Sequence, residues 1–147
     1  MELTIDEALR QGIAAHKEGN IQEADRLYTA ILGTQPKHPD ANHNMGVLAV
    51  SIGKVDAALP FLKTALESNP KIEQFWLSYI DALIKLGQFD GARQVLAQAQ
   101  QQVPTSGAFA DLQGKLILKA AAAEEQSNPP QHDLDTLTKL YQKKDYK

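Results

Sequence analysis

The sequence predicts an all-α protein, a solenoid of antiparallel helix pairs, and three observations carry that expectation. Three residue columns recur every 34 positions with no insertion: Gly19, Gly53 and Gly87; Ala24, Ala58 and Ala92; Pro36, Pro70 and Pro104. Three weaker columns keep the same register and stay apolar throughout: Ile21, Val55 and Phe89; Leu27, Phe61 and Val95; Tyr28, Leu62 and Leu96. The composition, 43% hydrophobic but only 6% aromatic, suits helices packed through small side chains better than a sheet rich in Val, Tyr and Phe. A fixed period in one frame is the mark of stacked supersecondary units.

Each column has a mechanical reading. The glycines fall between apolar-periodic stretches, where a left-handed residue ends one helix and turns the chain. The alanines lie inside the following helix, where a larger side chain would hold the pair apart. The prolines come just after that helix and stop it, since proline lacks a donor and clashes with the preceding turn. Helix starts agree: Thr4 and Glu7 have capping-box spacing, Pro39 and Pro70 sit where helices begin, and Thr105 or Ser106 caps a later one. Helices are expected near 4–17, 21–34, 39–52, 55–68, 71–86, 89–102 and 106–124, grouped in units 5–38, 39–72 and 73–106.

This pattern is similar to the tetratricopeptide repeat, whose 34-residue unit reads W-x2-L-G-x2-Y, then A-x3-F, then P. It falls on Ala8, Gln11, Gly12, Ala15, Ala24, Tyr28 and Pro36 in the first unit. In the second it falls on Asn42, Met45, Gly46, Ala49, Ala58, Leu62 and Pro70, and in the third on Trp76, Tyr79, Leu83, Ala92, Leu96 and Pro104. Ile80 stands where the other units have Gly12 and Gly46, so the third pair is expected to pack further apart. Trp76, at the family's core tryptophan place, is expected in the core and not stacked on a ligand. The resemblance covers 5–106 and implies a right-handed superhelix of helix pairs. The stretch Asn42-His43-Asn44-Met45-Gly46 also resembles units of the arrays in O-linked N-acetylglucosamine transferases. Asn44 matches the asparagine lining that family's groove, where the other units here have Arg10 and Ser78.

Beyond the third unit, 107–126 reads as a capping helix or half repeat: Gly114 keeps register, but Ala121 replaces the turn glycine. A lone amphipathic helix is a common way for such arrays to cover their apolar end. Ser127-Asn128-Pro129-Pro130 then begins a linker over 127–132, because Pro-Pro cannot continue a helix. Residues 133–147 carry Leu134, Leu137, Leu140 and Tyr141 at helical spacing, and look like the start of a further helix pair belonging to a longer protein. That stripe is the expected self-association surface if the chain forms a homodimer.

The remaining chemistry is mostly excluded. A net charge of -3 does not fit a surface that neutralises many phosphates, so nucleic acid is not an expected partner. With no cysteine and His16, His38, His43 and His132 scattered, no metal or catalytic constellation forms, and neither cofactor nor enzymatic activity is expected. Asp6, Asp40, Asp81 and Asp111 read as solvated or groove-lining acids. The acidic N-terminus resembles no secretory signal, and no apolar run approaches membrane-spanning length. A cytoplasmic protein that contacts no membrane is expected.

In the family it resembles, first helices line a concave face that takes extended or helical partners. Carried over, the groove consists of Asp6, Leu9, Arg10, Ile13 and Lys17; Asp40, His43, Asn44, Val47 and Ser51; Gln74, Leu77, Ser78, Asp81 and Lys85. Asp111, Lys115 and Lys119 would extend it. Leu9, Ile13, Val47 and Leu77 form an apolar strip with charged flanks, suited to apolar anchors and polar orientation. Family members that grip chaperone tails hold a terminal carboxylate with Lys and Asn, where the first unit here has Leu9 and Ile13. The expected function is a scaffold for a protein or peptide partner, as the adaptor segment of a larger protein. The alternative is a self-assembling scaffold that uses the C-terminal helix.

Overall fold

The computed structural model describes residues 3–104 and 106–127, which form seven helices and no strand. These are α1 (Ile5–Lys17), α2 (Ile21–Thr34), α3 (Pro39–Ser51), α4 (Val55–Ser68), α5 (Glu73–Lys85), α6 (Phe89–Gln102) and α7 (Gly107–Ser127).

Helices α1, α3 and α5 end in the same left-handed turn. Gly19, Gly53 and Gly87 have φ of 81°, 81° and 75°. The next residue in each donates its N–H back into the helix, Asn20 to Ala15 at 2.8 Å, Lys54 to Ala49 at 2.9 Å and Gln88 to Leu83 at 2.9 Å. These bonds satisfy carbonyls that the helix end would otherwise leave open. Helices α2, α4 and α6 end differently, on Gln35, Asn69 and Val103 with φ of -132°, -148° and -133°. Each precedes a proline, whose ring disfavours the helical region in the residue before it.

Helix starts depart from expectation at one point. Thr4 caps α1 by accepting from the Glu7 N–H at 3.1 Å, and Pro39 opens α3. Pro70, however, lies in the turn before α5, which begins at Glu73 after Ile72; there it terminates the preceding helix and its carbonyl serves Trp76. Ser106 donates its hydroxyl to the Glu73 carboxylate, tying the start of α7 to the start of α5, while Thr105 lies outside the described residues. A second departure is Pro60, inside α4. It is exposed, as is Asp56 one turn earlier, so the carbonyl that loses its donor faces solvent.

The small-residue columns set the distance within each pair. Ala24, Ala58 and Ala92 are fully buried. A Cβ built on Gly12 would lie 2.5 Å from Tyr28 Cε1, and one on Gly46 would lie 2.5 Å from Leu62 Cδ2. In the third pair Ile80 and Leu96 are both buried, and the α5 and α6 backbones run close together over less of their length than α1 with α2 or α3 with α4. The side chain of Ile80, where the other pairs have glycine, is consistent with this looser approach.

Successive pairs stack so that α1 meets α3, α3 meets α5 and α5 meets α7, while α2, α4 and α6 make little mutual contact. Close inner helices and splayed outer ones make a curved array, with the first helices on its concave side. Trp76 is 4% exposed and donates its indole N–H to the Pro70 carbonyl at 2.7 Å. Asn42, at the same place one unit earlier, reproduces the bond with its side-chain amide donating to Pro36 at 3.0 Å. Phe75, Phe109 and Leu116 join Trp76 in the apolar cluster that seats α7.

Candidate partner-binding groove

The candidate groove residues lie at exposed and half-buried positions of α1, α3, α5 and α7. Asp6, Arg10, Lys17, Asp40, Ser51, Gln74 and Lys85 are exposed; Leu9, Ile13, His43, Asn44, Val47, Leu77, Ser78 and Asp81 are half-buried. On α7, Asp111 and Lys119 are exposed and Lys115 is half-buried. Leu9 and Ile13 also pack on the core beneath α1 and α3, and Leu77 on the cluster beneath α5.

Polar bridges join neighbouring inner helices. The His16 Nε2 and Ser51 Oγ atoms are 3.1 Å apart between α1 and α3, and His43 Nε2 and Ser78 Oγ are 2.8 Å apart between α3 and α5. Lys115 Nζ donates to Asp81 Oδ1 at 2.6 Å between α7 and α5. The His43 ring also lies 4.9 Å from Phe75, centroid to centroid. Burial pushes its pKa down, against the opposing pull of Asp40, so the ring resists protonation in the folded chain.

Asp81 receives a second lysine, Lys85, at 2.5 Å. Burial pushes its carboxyl pKa up, but hydrogen bonds from Lys115 and Lys85 together with their charges hold it below the usual range. The pair to Lys115 correspondingly raises the lysine's own pKa against its partial burial. One carboxylate therefore serves two ammonium groups. Lys85, Lys115 and Lys119 also line a cleft with Ile84 and Phe89.

The residues predicted from the sequence converge most clearly between α5 and α7. There Gln74, Leu77, Ser78, Asp81, Asp111 and Lys115 line an open cleft of about 360 Å³, joined by Ala108 and Leu112. The sequence reading missed Ala108 and Leu112, although each lies 34 residues after a groove position, Gln74 and Ser78. It also missed His16 as a bridging group and His38 as a helix cap, whose Nδ1 accepts from the Ala41 N–H at 3.0 Å. Among the described residues, no group of three or more His, Asp or Glu side chains could hold a metal ion. No described helix is long and apolar enough to cross a membrane. The self-association stripe Leu134, Leu137, Leu140 and Tyr141 lies outside the described residues, as does His132.

The profile described as "Tetratricopeptide repeat" matches residues 15–74 and again 49–116. The chain belongs to the tetratricopeptide repeat family. No curated protein sequence matches it significantly. Among solved structures, the first TPR domain of human RPAP3 is similar at 18% identity and TM-score 0.71, covering 80% of this chain and 92% of that one. The Hsp90 co-chaperone Cns1 from Saccharomyces cerevisiae is similar at 15% identity and TM-score 0.76, covering 91% of this chain and 45% of that one. An O-GlcNAc transferase from Thermobaculum terrenum is similar at 21% identity and TM-score 0.67, over 79% of this chain and 23% of that one. At such identities the likeness is one of fold. As a tetratricopeptide-repeat array, the chain is a protein-interaction module.

Proposed function

We propose that the chain is a scaffold that takes a protein or peptide segment along its concave face, from Asp6 and Arg10 on α1 to Lys115 and Lys119 on α7. The observation that carries this reading is the α5–α7 cleft, where Leu77 and Leu112 form an apolar floor beside Gln74, Ser78, Asp111 and Lys115. Apolar surface with a few convergent polar groups is what an anchored side chain requires. The partner is bound and not transformed on this reading, for His16 and His43 bridge inner helices, His38 caps one and Asp81 is held by two lysines. The similarity to 23% of the length of a transferase chain supports an adaptor segment within a larger protein. Self-assembly through Leu134, Leu137, Leu140 and Tyr141 is the competing reading, and light scattering over a concentration series separates the two.

Selection of binders from a displayed library of random 12-residue peptides tests the groove directly. Val47→Arg and Leu77→Asp, on half-buried groove positions, should each weaken selected peptides at least tenfold while the circular dichroism spectrum stays helical. Arg93→Glu on the outer helix α6 should leave affinity unchanged. Peptides that ignore both groove variants and respond to Arg93→Glu would defeat the proposal.

A further inference from the structure

In the first two units, the helix face that carries Gly12 or Gly46 is covered by a large side chain of the following helix. Tyr28 sits over Gly12 and Leu62 over Gly46, each within 2.5 Å of where a Cβ would be. In the third unit Leu83 and Ile84, also on the last turns of the first helix, are 4% and 3% exposed. Helix α7 repeats this face in register, with Gly114 following Ile80 and then Ile117 and Leu118 following Leu83 and Ile84. Nothing lies within 4 Å of a Cβ on Gly114, and Ile117 and Leu118 are 61% and 73% exposed. Ala110, Gly114, Ile117 and Ala121 recur at the spacing that lines one side of a helix. A second stripe of α7, about a third of the way round the helix and including Phe109, Leu116 and Ala120, is already buried on the array. Two apolar stripes on one helix require two partners, and only one is supplied among the described residues.

We infer that the Gly114–Ile117–Ala121 face of α7 is the docking site of this chain's own segment 133–147. Three observations favour that occupant. The face continues an established interface, since it is the side on which α2, α4 and α6 sit against α1, α3 and α5. The segment carries an apolar stripe of its own, Leu134, Leu137, Leu140 and Tyr141, at helical spacing. The lengths also agree: 133–147 taken as a helix spans roughly 20 Å, and the face from Ala110 to Ala121 roughly 17 Å. Pro129 and Pro130 cannot continue α7, which separates the segment from that helix as docking back on it requires. Docked this way, the segment serves α7 as α2 serves α1.

The test uses the absence of native cysteine. Ala121→Cys is combined in turn with Leu134→Cys, Leu137→Cys and Leu140→Cys in the full chain, oxidised at low concentration and run on a non-reducing gel. Gln94→Cys, exposed on α6, replaces Ala121→Cys as the control. The inference expects intrachain disulfides in the monomer at least tenfold faster with Ala121→Cys than with the control, and one of the three partners well ahead. Interchain disulfides that grow with concentration would overturn it in favour of a second copy. Equal rates at Ala121→Cys and the control would overturn it outright. Ile117→Asp serves as a second variant, since its site is 61% exposed on α7. It should increase hydrogen exchange in 133–147 while α1 to α6 stay protected; unchanged exchange throughout would also count against docking.

Discussion

Tyr28 shows how a single side chain can serve packing at some expense in solvation. Its ring is fully buried and fills the space over Gly12, yet its hydroxyl has no hydrogen-bond partner among the described residues. Burial alone pushes its pKa up from 10.0 to about 12. Across that interval the unfolded chain has lost the phenolic proton and the folded chain still holds it, so rising pH favours unfolding. The Tyr28 contribution to stability is therefore intact below pH 10 and lost as pH approaches 12. Tyr28→Phe should flatten the alkaline limb of a pH series of chemical denaturations. It should also raise stability at neutral pH by about 1 kcal/mol, the scale of an unsatisfied buried hydroxyl. The facing glycine positions offer the opposite case. Gly46→Ala would place a Cβ 2.5 Å from Leu62, itself fully buried, and should cost about 1–3 kcal/mol as overpacking. Helix propensity would favour the alanine, so a midpoint that rises in urea would show that Leu62 moves aside freely.

At the scale of the element, α4 runs through Pro60, although proline interrupts the ladder of backbone bonds. The helix survives because its buried side, Ala58, Leu62, Ala65 and Leu66, is held on the core, while the proline and the carbonyl it orphans face outward. Packing outweighs a local penalty of about 3 kcal/mol. Pro60→Ala should therefore raise stability by roughly 1–3 kcal/mol, less what proline gains by restricting the unfolded chain. Thermal unfolding followed by circular dichroism reads this directly, and a lower midpoint would mean that the proline shapes α4 in a way the packing needs.

At the scale of the whole molecule, stability in a stacked array is local, since each unit touches only its neighbours. The link between α5 and α7 depends on the cluster at Phe109 and Leu116 together with the Lys115–Asp81–Lys85 bridge. Asp81→Asn removes the charge on which both lysines converge. Because the groups are partly exposed, the loss should be roughly 0.2–1 kcal/mol per pair and should shrink in high salt. Hydrogen exchange should speed up in α7 and leave α1 to α3 unchanged. A uniform increase along the chain would show that the array unfolds as one cooperative unit.

The sequence by itself determined the helix pairs and their register, because those depend on local chemistry repeated at a fixed interval. Glycine at 19, 53 and 87 makes the same turn three times, proline after each second helix ends it, and the alanine column permits close approach. Ile80 even announced the wider third pair. What only the tertiary structure decided depends on neighbours in other units. Among these are the histidine–serine bridges between inner helices, the sharing of Asp81 by two lysines and the burial of the Tyr28 hydroxyl. Pro70 was expected to open a helix as Pro39 does, yet the 34-residue register itself places it with Pro36, after the second helix, while Pro39 is matched by Glu73, where α5 begins. The proposed groove positions share the inner face of the first helices, where periodicity places side chains on one side of a helix. The depth of the cleft at Leu77 and Leu112 was not legible in the sequence, since it is set by the angle at which α7 meets α5, and no residue reports that angle alone.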